Sequence, residues 1–491
     1  MRRGVGGLAL VAACGGPVEF ASSDLRLDGA EDGIDSVSSD LCVSPAGGVY
    51  AVWSDDRSGT LQVWLAASAD EGQSWSEPVA VSHSPADALA PQLACASLED
   101  AAPEQDGVYV VWEDTRDGEL ANHNVYFQSS LDGGQTWRPE DLRVTPDPEG
   151  RSMHLGPRIA AGGSEVYLTW FDGRAGAFDI YAQGSTTRGE TWNQPVRLDG
   201  DAPGQGYSAW PDIATDGEGH CYVAWEDSRD GASDIYVAAT GNGGFSFNAS
   251  QRLDAGVDGQ NSPDDPGEHD SFRPSVAALG SSVVVAWHDE RNGSGRDVLV
   301  SVSSDHGVAW YGQAARVEST APGVADSINP AVGLVDDPDT PEPTKTVQVA
   351  WQDHRADAYD IFTRTLPTSA GEQDVRLDDG AAGSGQSLNV RVATEGNTVV
   401  VAWEDRRDDT GDGYNDLYYR FSRDGGRSWH SDDLRLDSIA PGTSFATGLD
   451  IALRNDVLYA LWVDGRGGSS DVYFQRLGVG ESAGFVEVAA R

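Results

Sequence analysis

The sequence predicts an all-β chain, a β-propeller of eight four-stranded antiparallel blades closed into a ring. Three observations predict it: a Trp-Asp-Arg motif that returns eight times, strand-and-turn punctuation inside each return, and a fourth-strand motif standing ahead of the first return. The copies are Trp53-Asp55-Arg57, Trp112-Asp114-Arg116, Trp170-Asp172-Arg174, Trp225-Asp227-Arg229, Trp287-Asp289-Arg291, Trp351-Asp353-Arg355, Trp403-Asp405-Arg407 and Trp462-Asp464-Arg466. Their spacings are 59, 58, 55, 62, 64, 52 and 59 residues. A period of this length, with several strands per unit, belongs to architectures whose units pack on their neighbours. A seven-bladed ring with one odd unit is the alternative count.

The fourth unit shows the elements in order. Pro211 to Thr215 reads as a first strand, ended by the turn Asp216-Gly-Glu-Gly219. Cys221 to Trp225 is the second strand, followed by the turn Asp227 to Gly231. Asp234 to Ala239 is the third, and a Gly/Asn turn leads to a last strand around Gln251-Arg-Leu-Asp254. Short β-branched and aromatic runs cut by Gly, Asp and Asn turns describe a four-stranded meander. No segment sustains a helical period, so almost no helix is expected.

The tryptophan is the packing element. In a strand, Trp and the residues two and four further on share a face, so indole, carboxylate and guanidinium stand in a row. An indole buries roughly 150–250 Å², enough to anchor one blade against the next. Asp and Arg are expected to pair with each other or across blades, as structure rather than as a ring of functional arginines. At the front of the chain, Asp24-Leu-Arg-Leu-Asp28 repeats the fourth-strand motif of Val196-Arg-Leu-Asp199, Val375-Arg-Leu-Asp378 and Leu434-Arg-Leu-Asp437. The eighth unit ends without that motif, so the N-terminal strand should complete the last blade and remove the exposed sheet edges.

A second motif, Ser-x-Asp-x-Gly-x-Thr/Ser-Trp, sits between third and fourth strands. It is clear in Ser68-Asp70-Gly72-Ser74-Trp75, Ser130-Asp132-Gly134-Thr136-Trp137 and Ser422-Asp424-Gly426-Ser428-Trp429. Weaker copies are Ser303-Asp305-Gly307-Trp310, Ser185-Thr187-Gly189-Trp192 and Thr240-Asn242-Gly244-Phe247. The motif resembles the Asp-box, or bacterial neuraminidase repeat, of sialidase-like propellers, and the resemblance spans essentially the whole ring. Its Asp takes hydrogen bonds from the turn and its Gly supplies positive φ. In that family these turns face away from the active site, so the resemblance implies a fold shared by sialidases, other glycosidases and pure binding proteins.

A sialidase of that kind would need three arginines around a carboxylate, a Tyr–Glu nucleophile pair, an Asp acid/base and an early aromatic-Arg-aliphatic-Pro motif. The nearest match, Phe272-Arg273-Pro274, lacks the aliphatic residue and aligns with ordinary repeat positions Ala209-Trp210-Pro211 and Ile328-Asn329-Pro330. The family also has six blades rather than eight. No catalytic residue is carried over.

Positions where the repeat departs from itself are better candidates, on the loops entering the first strands. Trp210, Arg273, Asn329 and Asn389 stand just before the Pro or its equivalent, with His154, Tyr207 and His269 nearby. Rings for stacking and forked donors for oxygen suit sugar or carboxylate recognition. Just inside, Asp40, Arg158, Asp212, Arg391 and Asp450 share one repeat position. Asp40, Asp212 and Asp450 are the catalytic candidates, since paired carboxylates flanking a bond are what glycosidases require; an inner salt-bridge ring is the structural reading of the same residues. Asp408, Asp412 and Asp416 stand in a loop with oxygen ligands at alternate positions and a Gly at the bend, as calcium loops do, although Tyr419 replaces the closing Glu. The alternative there is a solvated insertion. The nine histidines are dispersed, with no His-Glu-x-x-His or Cys/His cluster, so no zinc site is expected. No nucleotide-binding loop is found.

The length fits one large domain, residues 23–491. A net charge of −46, with Lys345 the only lysine, repels phosphate backbones and anionic lipid, so nucleic acid is not an expected partner. Residues 1–13 read as a lipoprotein-type signal peptide, with Cys14 lipidated and residues 14–22 as a tether; an ordinary secretory signal is the alternative. The membrane is then met only through the anchor, at a bacterial cell envelope or surface. Cys42 and Cys95 fall in neighbouring first strands and can pair in an oxidising compartment, leaving Cys221 buried and free. The expectation is an exported monomer that binds a glycan or a surface protein on its loop face and needs no cofactor, calcium being the one candidate. The alternative is a sialidase-like glycoside hydrolase.

Overall fold

The structure, a computed structural model, describes residues 23–479 apart from 30–32, 99–101, 118–121, 146–152, 255–267, 294, 311–313, 337–344 and 369–372. Cys14 and the segments expected to be a signal (1–13) and a tether (14–22) lie outside the described residues.

Thirty-two strands make eight four-stranded antiparallel sheets, and in seven of them the strands pair in chain order. The eighth sheet runs Leu25–Arg26, Asp471–Gly478, Val457–Asp464, Ala446–Arg454. Its outer strand is therefore the N-terminal one, with Leu25 opposite Phe474 and Arg26 opposite Tyr473. The ring closes with eight blades, the number the motif predicts. Among the described residues the only helical element is the 3-10 turn Pro103–Gln105.

First strands such as Ser208–Thr215 and Ser271–Leu279 lie side by side around the axis. Six of the eight second strands, Cys221–Asp227 among them, are buried at every residue because a neighbouring blade covers each face. The core is accordingly eight apolar clusters rather than one. Tyr222 and Ile235 of blade 4 pack with Val285, Trp287 and Leu299 of blade 5, while Leu41 and Trp53 of blade 1 pack with Tyr459 and Phe474 of blade 8.

The repeated motif is a self-contained unit. All eight tryptophans are wholly buried. Seven indoles donate from Nε1 to the Asp two residues on, at 2.8–3.4 Å. The Arg pairs with that same Asp in every blade. In seven blades its guanidinium lies 3.7–4.5 Å over an aromatic ring of the third strand, from Trp64 in blade 1 to Tyr473 in blade 8. Blade 5 places Leu299 opposite Trp287, so Arg291 has no ring to cover. Cys42 and Cys95 form a disulfide between the first strands of blades 1 and 2, and Cys221 is buried and free.

The turns between third and fourth strands are held locally. Asp70 accepts from the Ser74 N–H at 2.8 Å and its hydroxyl at 2.6 Å, and Ser68 Oγ accepts from Gly72 N–H at 2.8 Å. Thr187 and Asn242 replace the Asp in blades 3 and 4 and accept the equivalent N–H at 2.9 and 3.1 Å. Gly72 has φ of 78°, and a Cβ there would come within 2.9 Å of the Phe474 ring.

Candidate functional site

Every first strand is interrupted by a bulge near the end where the chain enters it, for example between Ala209 and Asp212 and between Phe272 and Ser275. One residue of each bulge is left-handed: Ser38, Ala90, Gly156, Trp210, Arg273, Asn329, Asn389 and Gly448, with φ between 47° and 67°. A side chain held there costs roughly 1–2 kcal/mol, and such strain collects where structure serves a ligand. Four of the ligand candidates chosen from sequence, Trp210, Arg273, Asn329 and Asn389, are these bulge residues.

Five of the bulges are latched from the preceding blade by the residue after the motif tryptophan. Glu113 accepts from Gly156 N–H at 2.8 Å, Glu226 from Arg273 at 2.7 Å, Gln352 from Asn389 at 3.1 Å and Glu404 from Gly448 at 3.0 Å. His288 Nδ1 receives the Asn329 N–H at 3.3 Å; burial, and then Arg296 and Arg273, push that imidazole down to about 3, so it stays neutral and can accept. Burial pushes the Glu226 carboxyl up to about 7 and raises Glu404 as well.

Three blades depart from the pattern: Ser54 of blade 1 instead donates to the Ala88 carbonyl oxygen at 2.9 Å, blade 8 carries Val463, and blade 3 carries an aromatic ring. Blade 3 carries Phe171 at the latch position, and its ring packs against Trp210 with centroids 6.1 Å apart. Phe178 extends the group, 5.2 Å from Phe171 and 5.7 Å from Tyr207. Tyr207 is 49% exposed and Trp210 45% exposed. From blade 5 the exposed Arg273 reaches back, its guanidinium carbon 4.1 Å over the Trp210 ring. Trp210, Tyr207 and Arg273 thus form one solvent-facing shelf across the seam of blades 4 and 5, over the buried Glu226.

The other sequence candidates separate. Asn329 and Asn389 stand in the bulges of blades 6 and 7, their amides donating to Gln352 at 3.2 Å and Glu404 at 3.0 Å. His269 is half-buried two residues before the fifth first strand. His154 is a correction: it is wholly buried, with Nε2 3.2 Å from the Asp172 carboxylate and Nδ1 3.1 Å from the His123 carbonyl oxygen, so it braces the scaffold.

Asp40, Asp212 and Asp450 line the axis, and each latches a neighbouring blade. Asp450 accepts from Leu41 N–H at 3.0 Å, Asp40 from Leu93 at 2.6 Å and Asp212 from Val276 at 2.9 Å. Burial, with the Asp450 charge beside it, holds the Asp40 carboxyl well above the usual carboxylate range. Burial also raises Asp212, against the pull of Arg158 and Arg391. Arg158 donates to Gln92 at 2.8 Å, and Arg391 is exposed.

Asp408, Asp412 and Asp416 do not converge on one point, a second correction. Asp409 instead caps the loop, one carboxylate oxygen accepting the N–H groups of Gly411, Asp412, Gly413 and Tyr414 at 3.0–3.3 Å. Asp416 is buried and paired with Arg435 at 2.7 Å. A metal-ligating group unseen in the sequence does form: Asp216, His220 and His306 bring their ligand atoms within 4.8 Å of one another. The sequence held signals for neither the latch nor this group beyond an irregular residue after each tryptophan, since the histidines come from different blades.

No protein-family model and no curated protein matches this chain. Solved structures similar to it include a Hadza microbial sialidase, at 14% identity and TM-score 0.36 over 64% of this chain and 63% of that one. An α-L-arabinofuranosidase of Fusarium graminearum is similar at 12% identity and TM-score 0.42, over 93% and 98%. A polysaccharide lyase, an ulvan lyase, is similar at 13% and 0.46, over 93% and 96%. Likenesses this distant carry nothing about activity.

Proposed function

We propose that this propeller, an Asp-box ring by its turns, recognises a glycan bearing a carboxylate at this shelf on the seam of blades 4 and 5. The observation that carries the reading is the exposed indole of Trp210, held at positive φ with the Arg273 guanidinium over it. Trp210 and Tyr207 supply flat apolar area for a sugar face, and Arg273 supplies forked donors for its carboxylate. Arg158 and Arg391 add positive charge toward the axis of a chain whose net charge is −46. These guanidiniums, with that of Arg273, favour an anionic ligand at this point of the surface over a cationic one. The proposal extends to an exported monomer, lipidated at Cys14 and displayed on a cell envelope, where such glycans are met.

The test is a glycan array with the purified protein and its Trp210→Ala and Arg273→Gln variants. Binding confined to uronate- or sialate-bearing glycans, and lost in both variants, supports the reading. Binding that survives both substitutions, or a silent array from folded protein, overturns it and points to a protein ligand. A second reading, hydrolysis, rests on Glu226, whose carboxyl titrates near neutrality as a general acid must. Turnover of the bound glycan that disappears in Glu226→Gln would establish it.

A further inference from the structure

Blades 4 and 5 meet a second time at the opposite end of the ring. The turn after the first strand of blade 4 carries Asp216 and His220, and the turn between third and fourth strands of blade 5 carries His306. Asp216 is oriented by its own loop, one carboxylate oxygen accepting from Glu218 N–H at 2.8 Å and His220 N–H at 3.2 Å. The other oxygen lies 2.7 Å from His220 Nδ1 and 3.3 Å from His306 Nδ1. The two imidazoles stack with centroids 4.0 Å apart, and the Tyr222 hydroxyl stands 3.3 Å from His306 Nδ1. The Asp216 side chain is 0% exposed, whereas the His220 and His306 side chains are 30% and 33% exposed.

We propose that Asp216, His220 and His306, with Tyr222 beside them, bind one divalent transition-metal ion of the zinc class and thereby staple blade 4 to blade 5. Ligand atoms around tetrahedral zinc, each about 2.0–2.1 Å from the ion, stand about 3.3 Å apart. The Asp216 spacings of 2.7 and 3.3 Å are close to that value, and the two rings turn out of their stack so that each Nδ1 lone pair faces the ion. Two ring nitrogens and one carboxylate oxygen are a borderline donor set, which suits zinc, copper or nickel, whereas calcium takes six to eight oxygens. A buried carboxylate needs compensating positive charge. A cation held between the two rings supplies it. The partly exposed rings leave a path from solvent, and the Tyr222 hydroxyl or a water completes the fourth position. At the seam of blades 8 and 1 the same two turns are joined by a plain ion pair, Arg454 to Glu71 at 3.0 Å.

The test uses the full chain stripped with a chelator, then titrated calorimetrically with zinc alone, with melting followed in parallel. Cobalt is substituted for its tetrahedral absorption bands. Expected are one zinc per chain, a raised melting temperature, and affinity lower by at least about tenfold in both His220→Gln and His306→Gln, whose zinc-induced melting shift is lost. His83→Gln, away from the seam, should bind as the parent does. Melting without metal shows whether each variant folds. Zinc binding unchanged in both seam variants means an adventitious ion only and overturns the proposal. A parent protein that neither binds zinc nor gains stability from it overturns it as well, and leaves a hydrogen-bonded latch.

Discussion

The backbone N–H of Arg273 donates to the carboxylate of Glu226 at 2.7 Å, across the seam between blades 4 and 5. The acceptor is buried and the donor belongs to a left-handed residue, so one side chain both satisfies an N–H and fixes where the guanidinium sits. Removing a buried partner costs about 1–3 kcal/mol. Glu226→Ala should therefore lower the denaturant midpoint by that amount and weaken ligand binding. Glu226→Gln, which keeps an acceptor oxygen, should stay within about 1 kcal/mol of the parent. An alanine variant that unfolds at the parental midpoint would remove Glu226 from this role.

Trp210 allows function to be separated from stability. Its φ of 51° strains any residue with a Cβ, and its ring is 45% exposed. Trp210→Gly relieves roughly 1–2 kcal/mol of backbone strain while losing modest packing against Phe171. The expected outcome is a melting temperature equal to or above the parent's, with binding abolished. A clear fall in melting temperature would make the indole a packing residue instead.

The ring was legible in the sequence because its determinants are local and repeated. Tryptophan, Asp and Arg bond within their own motif, and the turn bonds of Asp70 or Asp132 span four residues. The bulge positions were legible too, since the Pro after Trp210 or Arg273 marks them. What joins them was not. Glu226 and Arg273 lie 47 positions apart, and nothing in either motif says that one accepts from the other. His154 reads as a loop residue and is core, because the His123 carbonyl and Asp172 close over it. The calcium reading of Asp408, Asp412 and Asp416 rested on spacing, and spacing alone did not show that Asp409 closes the loop on its own backbone.

The disulfide joins residues 53 positions apart. Constraining a loop of that length in the unfolded chain is worth about 4 kcal/mol by loop-closure entropy. Cys42→Ser with Cys95→Ser, or reduction under non-denaturing conditions, should lower the denaturant midpoint accordingly while leaving the shelf on the seam of blades 4 and 5 able to bind. Equal stability of oxidised and reduced protein would show that residual structure in the unfolded chain, or strain in the folded one, cancels the loop-closure gain.

Acidity should stabilise this protein over an unusual window. The fourth strands end in carboxyls that turn inward: Asp199, Glu318, Asp378 and Asp437 are all buried. Each accepts a third-strand N–H; that of Asp199 comes from Ile180 at 2.7 Å and that of Asp378 from Ile361 at 2.6 Å. Burial pushes Asp199 and Asp378 up to about 7, Glu318 to about 8 and Asp437 to about 6, with the nearby charges of Asp227, Asp360, Asp297 and Asp416 acting in the same direction. Unfolded, such groups titrate near 4. The folded chain therefore holds more protons than the unfolded chain from about pH 4 to 8, and stability falls as pH rises across that range. Below it the sign reverses: against the opposite pull of burial, Arg296 and Tyr359 hold Asp326 down at about 2, and its contribution is lost as acid protonates it. Melting temperature should climb as pH is lowered from 8 toward 5 and drop again below about 4. Asp378→Asn should flatten the neutral limb, because it deletes one of the groups that takes up a proton on folding. A melting temperature that holds level or rises between pH 5 and 8 would show that these carboxyls stay ionised in the folded ring.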